Sequence, residues 1–302
     1  MVSNQPARKA RSTSGLLSIR SVLAAGSLPL SYLASGGNKA LTFSRRLMEM
    51  APRRLIDTMR FHLETCLPGG LEPGAEGFKI TLRVRLVHAQ MRRVLLASGR
   101  WDTASWGAPL NQADTAGTNV LFSAYPLAWL RRLGYHFTPE ESDAVIQLWR
   151  YSGHLLGIDP VLLSATEAEA VRLGTLIEAT WGPPDDDSRA LVQALMTAMP
   201  AIMKQRLPKS EWAADFWAAL TRFCLGDERL DALGIPRSPV RHALPLVRVA
   251  VAQSEAVRRR STVGTSLALR MGTELERYLV SIGIPASQGT IDAVLGAGAR
   301  RS

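Results

Sequence analysis

The chain has 302 residues, 46% of them hydrophobic and 21% charged. That composition fits a globular protein with a substantial core and excludes a disordered or collagen-like chain. Lys and Arg number 36 against 26 for Asp and Glu, and 36 − 26 gives a formal charge of +10. Such a surplus favours acidic partners, whether nucleic acid, anionic lipid or a phosphate- or carboxylate-bearing cofactor, without selecting one. Two cysteines, Cys66 and Cys224, are too few for a disulfide framework or a cysteine-built zinc site. A reducing, cytoplasmic setting is the plainer expectation.

The first acidic residue is Glu49, so Arg8, Lys9 and Arg11 are unopposed and precede a partly apolar run from Leu16 to Leu33. Arg20 and Pro29 interrupt the run, which falls short of about 18 consecutive apolar residues for a spanning helix. A surface helix is expected, open to association with a membrane surface; a cleaved or anchoring segment is the alternative. Helical spacing then dominates. Pro52 to Thr65 begins with a proline suited to a first turn and ends before Pro68-Gly69-Gly70. After a Gly/Pro-rich loop through Gly77, Ile80 to Ala97 reads as one long helix, and Asn111 to Leu133 as another, capped by Gly134. Thr138-Pro139-Glu140-Glu141 carries a capping threonine, a first-turn proline and acids at the positive helix end, with a stop expected at Gly157. Further helices begin at Thr166 and at Asp185–Asp187, and Trp212–Leu225, Pro239–Arg259 and Thr265–Gly283 continue the pattern. Alternating β-branched runs with Asn-Gly or Asp-Gly turns are missing. The expected class is all-α: a basic extension over 1–44, a helical domain over 45–285, and a basic tail over 286–302 with Arg300-Arg301.

General catalytic signatures are missing from the sequence: there is no P-loop, no G-x-G-x-x-G, no G-x-S-x-G and no H-E-x-x-H. His62, His88, His136, His154 and His242 are too scattered to make a spaced ligand set. Nucleic-acid binding has only charge behind it and is not expected, because Trp101, Trp106, Trp149 and Trp217 sit where packing explains them.

One segment stands apart, Thr81-Leu-Arg-Val-Arg85-Leu-Val-His88-Ala-Gln-Met-Arg92. On a helix, positions i−3 and i+4 share a face with i, so Arg85, His88 and Arg92 form one stripe. Nearby guanidiniums disfavour imidazolium, and neutral imidazole is the form that binds a metal. Two arginines a turn either side also suit anionic groups such as haem propionates. A surface stripe, or a core histidine bonded to a carbonyl, explains the same spacing.

The ordered motifs resemble the family of bacterial latex-clearing rubber oxygenases and fungal MpaB-type oxygenases. They are Arg54-Leu-Ile-Asp-Thr58, the loop Pro68-Gly-Gly70…Pro73-Gly74, Arg85-x-x-His88-x-x-x-Arg92, Gly107-Ala-Pro-Leu-Asn111-Gln112-Ala-Asp114 and Trp149-Arg-Tyr-Ser-Gly153-His-Leu-Leu-Gly157. The resemblance covers about residues 45 to 170. It implies a helical bundle with a globin-like core around haem b, His88 as the axial iron ligand, and Arg54 and Thr58 beside the haem as pocket residues. Arg85 and Arg92 then either pair with propionates or brace neighbouring helices. It further implies O2 as co-substrate and an apolar substrate, isoprenoid in the named relatives, cleaved at a carbon–carbon double bond. Each motif also has a plainer explanation. Arg54 and Thr58 suit an ordinary helix start, Asn111 and Asp114 suit helix caps, and Trp149 and His154 suit core packing. The contrasting expectation is a non-catalytic helical protein that senses haem or binds acidic surfaces through its basic ends.

Overall fold

The computed structural model describes residues 19–43, 51–206 and 212–261, and within them every regular element is a helix. Residues 1–18 of the expected basic extension, the expected tail over 286–302 and the helix over Thr265–Gly283 lie outside the described residues. No helix among the described residues is long and apolar enough to cross a membrane.

The chain enters through α1 (Ile19–Val22), a π turn (Leu23–Ser27) and α2 (Leu28–Ser31). This stretch is a correction to the expected surface helix, because Val22, Leu23, Ala24, Ala25 and Leu30 are all buried. Small side chains explain the burial. A Cβ on Gly26 would fall 2.5 Å from the Trp129 ring, so only glycine lets the π turn close onto that indole. Ser27 adds a hydrogen bond from its hydroxyl to the Leu121 carbonyl at 2.6 Å. The wide π turn also absorbs Pro29, which lacks the N–H a regular helix would use there. After α3 (Ser35–Thr42), Lys39 reaches Asp185 at 2.7 Å and also pairs with Asp187, tying the entry segment to a later helix start.

Next come α4 (Ala51–Cys66) and α5 (Glu76–Ala97), joined by a turn that only glycines permit. A Cβ at Gly70 would lie 2.0 Å from the Glu64 carbonyl oxygen, and one at Gly77 would lie 2.5 Å from it. The close turn lays α5 back along α4, and Arg60 bonds Glu76 across it at 3.1 Å. A short α6 (Thr103–Trp106) follows.

The helix expected over Asn111–Leu133 is two helices, α7 (Gln112–Phe122) and α8 (Ala124–Arg132), broken at Ser123 (φ −111°, ψ −86°). Pro126 supplies the reason: its ring clashes with the carbonyl four residues back, at Phe122. By contrast α9 (Pro139–Leu156) starts and stops as expected, with a Thr138–Glu141 capping box and Gly157 left-handed at φ +87°. Thr166 caps α10 (Glu167–Glu178), and Asp185 caps α11 (Asp186–Arg206) by accepting the Ser188 N–H at 2.9 Å. Then α12 (Ala213–Leu225) runs through the core, burying Trp217, Ala219 and Leu220 against the π turn and α11. A short α13 (Asp227–Ala232) leads to a 3-10 turn (Pro239–Ala243) and α14 (Leu244–Arg259), where Pro245 separates two elements that the sequence reads as one.

Candidate active site

The five candidate residues sit on two packed neighbours, Arg54 and Thr58 on α4 and Arg85, His88 and Arg92 on α5. The Arg54 side chain lies outside the described residues; Thr58 and His88 are both half-buried. Burial, and second the Arg92 guanidinium one turn on, push the His88 pKa below its usual 6.5. The ring is therefore neutral at pH 7. It makes no hydrogen bond to any described residue, which rules out the bonded core histidine among them. One apolar wall flanks it: Val84 packs on the main core, and Val87 and Met91 are half-buried.

Spacing leaves two roles open for the arginines, and the contacts among the described residues favour bracing. Arg85 donates to the Leu155 carbonyl at 3.2 Å, at the last turn of α9. Its guanidinium lies over Gly157, where a Cβ would come within 2.9 Å of Cζ. Arg92 donates to the carbonyl of Leu110, a non-glycine residue at φ +50°. Gln112, first residue of α7, donates to the Gly157 carbonyl at 3.1 Å and accepts the Asp159 N–H at 2.9 Å. Three separate sequence motifs thus meet in one latch beside the histidine helix.

Asn111 and Asp114 form the capping box that starts α7, as their capping explanation predicts. Trp149 is buried as expected, whereas His154 is exposed, a correction to its expected place in the core. It lies in the last turn of α9, where a solvent-facing histidine suits the negative helix end.

Sequence reasoning missed a second feature. Phe61 and His62 of α4, Phe122 of α7 and Trp149 of α9 form one buried aromatic cluster. Trp149 stacks on Phe122 at 4.8 Å between centroids and on His62 at 5.4 Å, and Phe61 meets both indole and phenyl edge-on at 5.8 Å. Next to it in sequence, Thr65 of α4 and Ser152 of α9 are fully buried with no partner for their hydroxyls among the described residues. The usable signal was the i, i+4, i+7 row Thr58, His62, Thr65 on one face of α4.

Among the described residues no group of three or more His, Cys, Asp or Glu could hold a metal ion. His88 is thus a lone donor. The cleft of about 400 Å³ lined by Ser35, Lys39, Trp106, Asp114 and Trp181 contains none of the five candidates, and we place the site on chemistry, at His88.

The catalytic-domain model of the ER-bound oxygenase mpaB/B' and rubber oxygenase matches residues 14–256. The chain belongs to this family. It is similar to the rubber oxygenase of Streptomyces sp. (strain K30), 24% identical over 169 residues that make up 53% of this chain and 38% of the relative. The match therefore spans well under half the length of that relative. Latex clearing protein LCP in its closed state shares the all-α fold, with a TM-score of 0.72, 19% identity, and coverage of 95% of this chain and 76% of that one.

Proposed function

We propose that this member of the oxygenase family is an oxidoreductase, a haem b-dependent oxygenase acting on an apolar, isoprenoid-type substrate. His88 would hold its iron, and Arg54 and Thr58 would be the pocket residues beside it. One observation carries the reading: a half-buried imidazole kept neutral by burial and Arg92, with both ring nitrogens free of hydrogen bonds to any described residue.

The residues fit a haem. A lone histidine is what porphyrin iron would take from a protein, since the porphyrin nitrogens themselves supply most of the iron's donors. A metal held only by side chains would need a cluster that the described residues lack. The helix face around His88 is correspondingly open: from Leu82 to Val94 no side chain of α5 is fully buried, although α4 runs alongside.

When bound, the haem supplies an iron centre at which O2 is activated for oxidation or cleavage of an alkene. The chain's own part is positioning. Arg85 and Arg92 fix the rotation of α5, so that His88 keeps one orientation. Burial holds its Nε2 or Nδ1 unprotonated and ready to donate. Thr58 offers a hydroxyl on the neighbouring helix, close in sequence to Leu55 and Met59, which pack into the main apolar core. An apolar substrate then binds by burial rather than by ion pairing.

Absorption spectra of the purified protein, oxidised and dithionite-reduced, with and without carbon monoxide, test the reading. A Soret band is expected that collapses in His88→Ala while helical circular dichroism is retained. Colourless protein that takes up no haem on reconstitution would overturn it.

A further inference from the structure

Helix α14 presents an unusual outward face. Its inward side is ordinary: Leu244, Val247, Val251 and Glu255 recur at i, i+3, i+7 and i+11 and meet the body of the protein. The helix also presses on the α8 terminus, where a Cβ at Gly134 would lie 2.8 Å from the Arg248 carbonyl. Opposite lies a second row with the same spacing, Leu246, Val249, Ala250, Gln253 and Val257, all exposed. Leu246 is 74% exposed, Val249 55% and Val257 69%. A surface helix normally turns polar residues to water, and here one glutamine interrupts an apolar stripe.

The exposed charge on and beside this helix has one sign. Arg241 precedes the helix, Arg248 flanks it, and Arg259 and Arg260 end it; all four are exposed, and none has an ion-pair partner among the described residues. The helix's one acid, Glu255, is buried and paired with Arg258 at 2.7 Å. An apolar row on a helix whose exposed charges are all arginines, with no exposed acid, is the pattern of a helix that lies in the plane of an anionic membrane surface.

We propose that α14 docks this protein onto anionic lipid bilayers, with Leu246, Val249 and Val257 inserted among the acyl chains and Arg241, Arg248, Arg259 and Arg260 at the headgroups. A second copy of the chain is a poorer occupant, because a two-fold contact would bring two helices whose exposed charges are all positive against each other. Nucleic acid is also poorer, since phosphates satisfy the arginines but leave the apolar row uncovered. The inference stands apart from the oxygenase reading and does not use His88.

Co-sedimentation of the full chain with phosphatidylcholine vesicles, with and without 30% phosphatidylserine, tests it. Binding to the anionic vesicles is expected to be several-fold tighter than to neutral ones and to weaken in high salt. Leu246→Glu/Val257→Glu should reduce it at least about tenfold with no change in Tm, and Arg248→Gln/Arg259→Gln should reduce it with the stripe intact. Absence of binding to anionic vesicles overturns the proposal, as does binding indifferent to the Leu246/Val257 pair. A fall in Tm in that pair would show the stripe covered by its own chain. A dimer in sedimentation that the same pair dissociates would show a second copy there. Either result also overturns it.

Discussion

Gly157→Ala probes the latch beside the histidine helix. Gly157 has φ +87°, and moving a side chain into that left-handed region costs about 1–2 kcal/mol. Its Cβ would also come to 2.9 Å from Arg85 Cζ and 3.0 Å from Nε, so the guanidinium must shift. The hydrogen bond to the Leu155 carbonyl is then lost or bent, and a bond of that kind contributes about 0.5–1.5 kcal/mol net. Together these give about 1.5–3.5 kcal/mol, or a Tm lower by about 4–9 °C for a domain of this size. Gly74→Ala supplies the control: Gly74 has φ +89°, yet nothing lies within 4 Å of its Cβ position. It carries the backbone term alone, so its Tm should fall by only about 2–5 °C. The assay is thermal unfolding of both variants, and of Gly157→Ala in an Arg85→Ala background, by circular dichroism. Arg85→Ala should shrink the Gly157→Ala penalty towards that of Gly74→Ala, a coupling that reads the contact itself. Equal Tm losses for the two glycines in the wild-type background would refute the latch.

Two further outcomes follow from named contacts. Burial and Arg92 lower the His88 pKa, so at pH values below 6.5 the unfolded chain binds a proton that the folded one refuses. The stabilisation is complete above 6.5 and is lost as pH falls through the lowered folded value. Haem uptake by the apoprotein should follow that window, with a half-point below 6.5 that Arg92→Gln moves upward; a wild-type half-point at or above 6.5 contradicts it. Arg222, with its side chain 4% exposed, bonds Asp227 at 2.9 Å, Asp231 at 2.7 Å, the Pro236 carbonyl at 3.2 Å and the Ile235 carbonyl. Arg222→Met orphans both carbonyls and should cost about 2–4 kcal/mol, read as a lower urea midpoint at unchanged m; a raised midpoint would show that burying the guanidinium already costs more than its bonds return.

Local chemistry was legible where it is self-contained. Thr138, Pro139, Glu141 and Gly157 bound α9 by caps that act within a few residues of chain, so their reading survived unchanged. Pro126 is equally visible in the sequence, but the apolar periodicity on either side of it masks its clash with the Phe122 carbonyl. The entry segment failed for a different reason. Ala24, Ala25 and Gly26 look too small to anchor a core, yet Gly26 closes onto the Trp129 indole about a hundred residues on. Spacing carries no record of such a partner. The stack of His62 on Trp149 was hidden likewise, since each residue reads as an ordinary helical aromatic until α4 and α9 are brought together.

The same limit explains why Arg85 and Arg92 could not be assigned from their stripe. Seven residues apart, they lie two turns apart on one face, about 10 Å along the axis, with His88 between. Each grips a carbonyl from a different segment, Leu155 at the end of α9 and Leu110 just before α7, and Gln112 joins those two segments to each other. Two separated grips on one helix resist rotation as well as sliding. A slip of one residue would turn His88 by about 100°. Guanidinium suits the task better than ammonium, because its planar fork can hold a carbonyl and still lie flat over a glycine, as Arg85 does at Gly157. Arg92 has a second effect from the same position, since the charge that holds the Leu110 carbonyl also keeps the imidazole one turn away unprotonated. The arrangement that fixes α5 is therefore also one that keeps His88 neutral, the form a metal ligand needs.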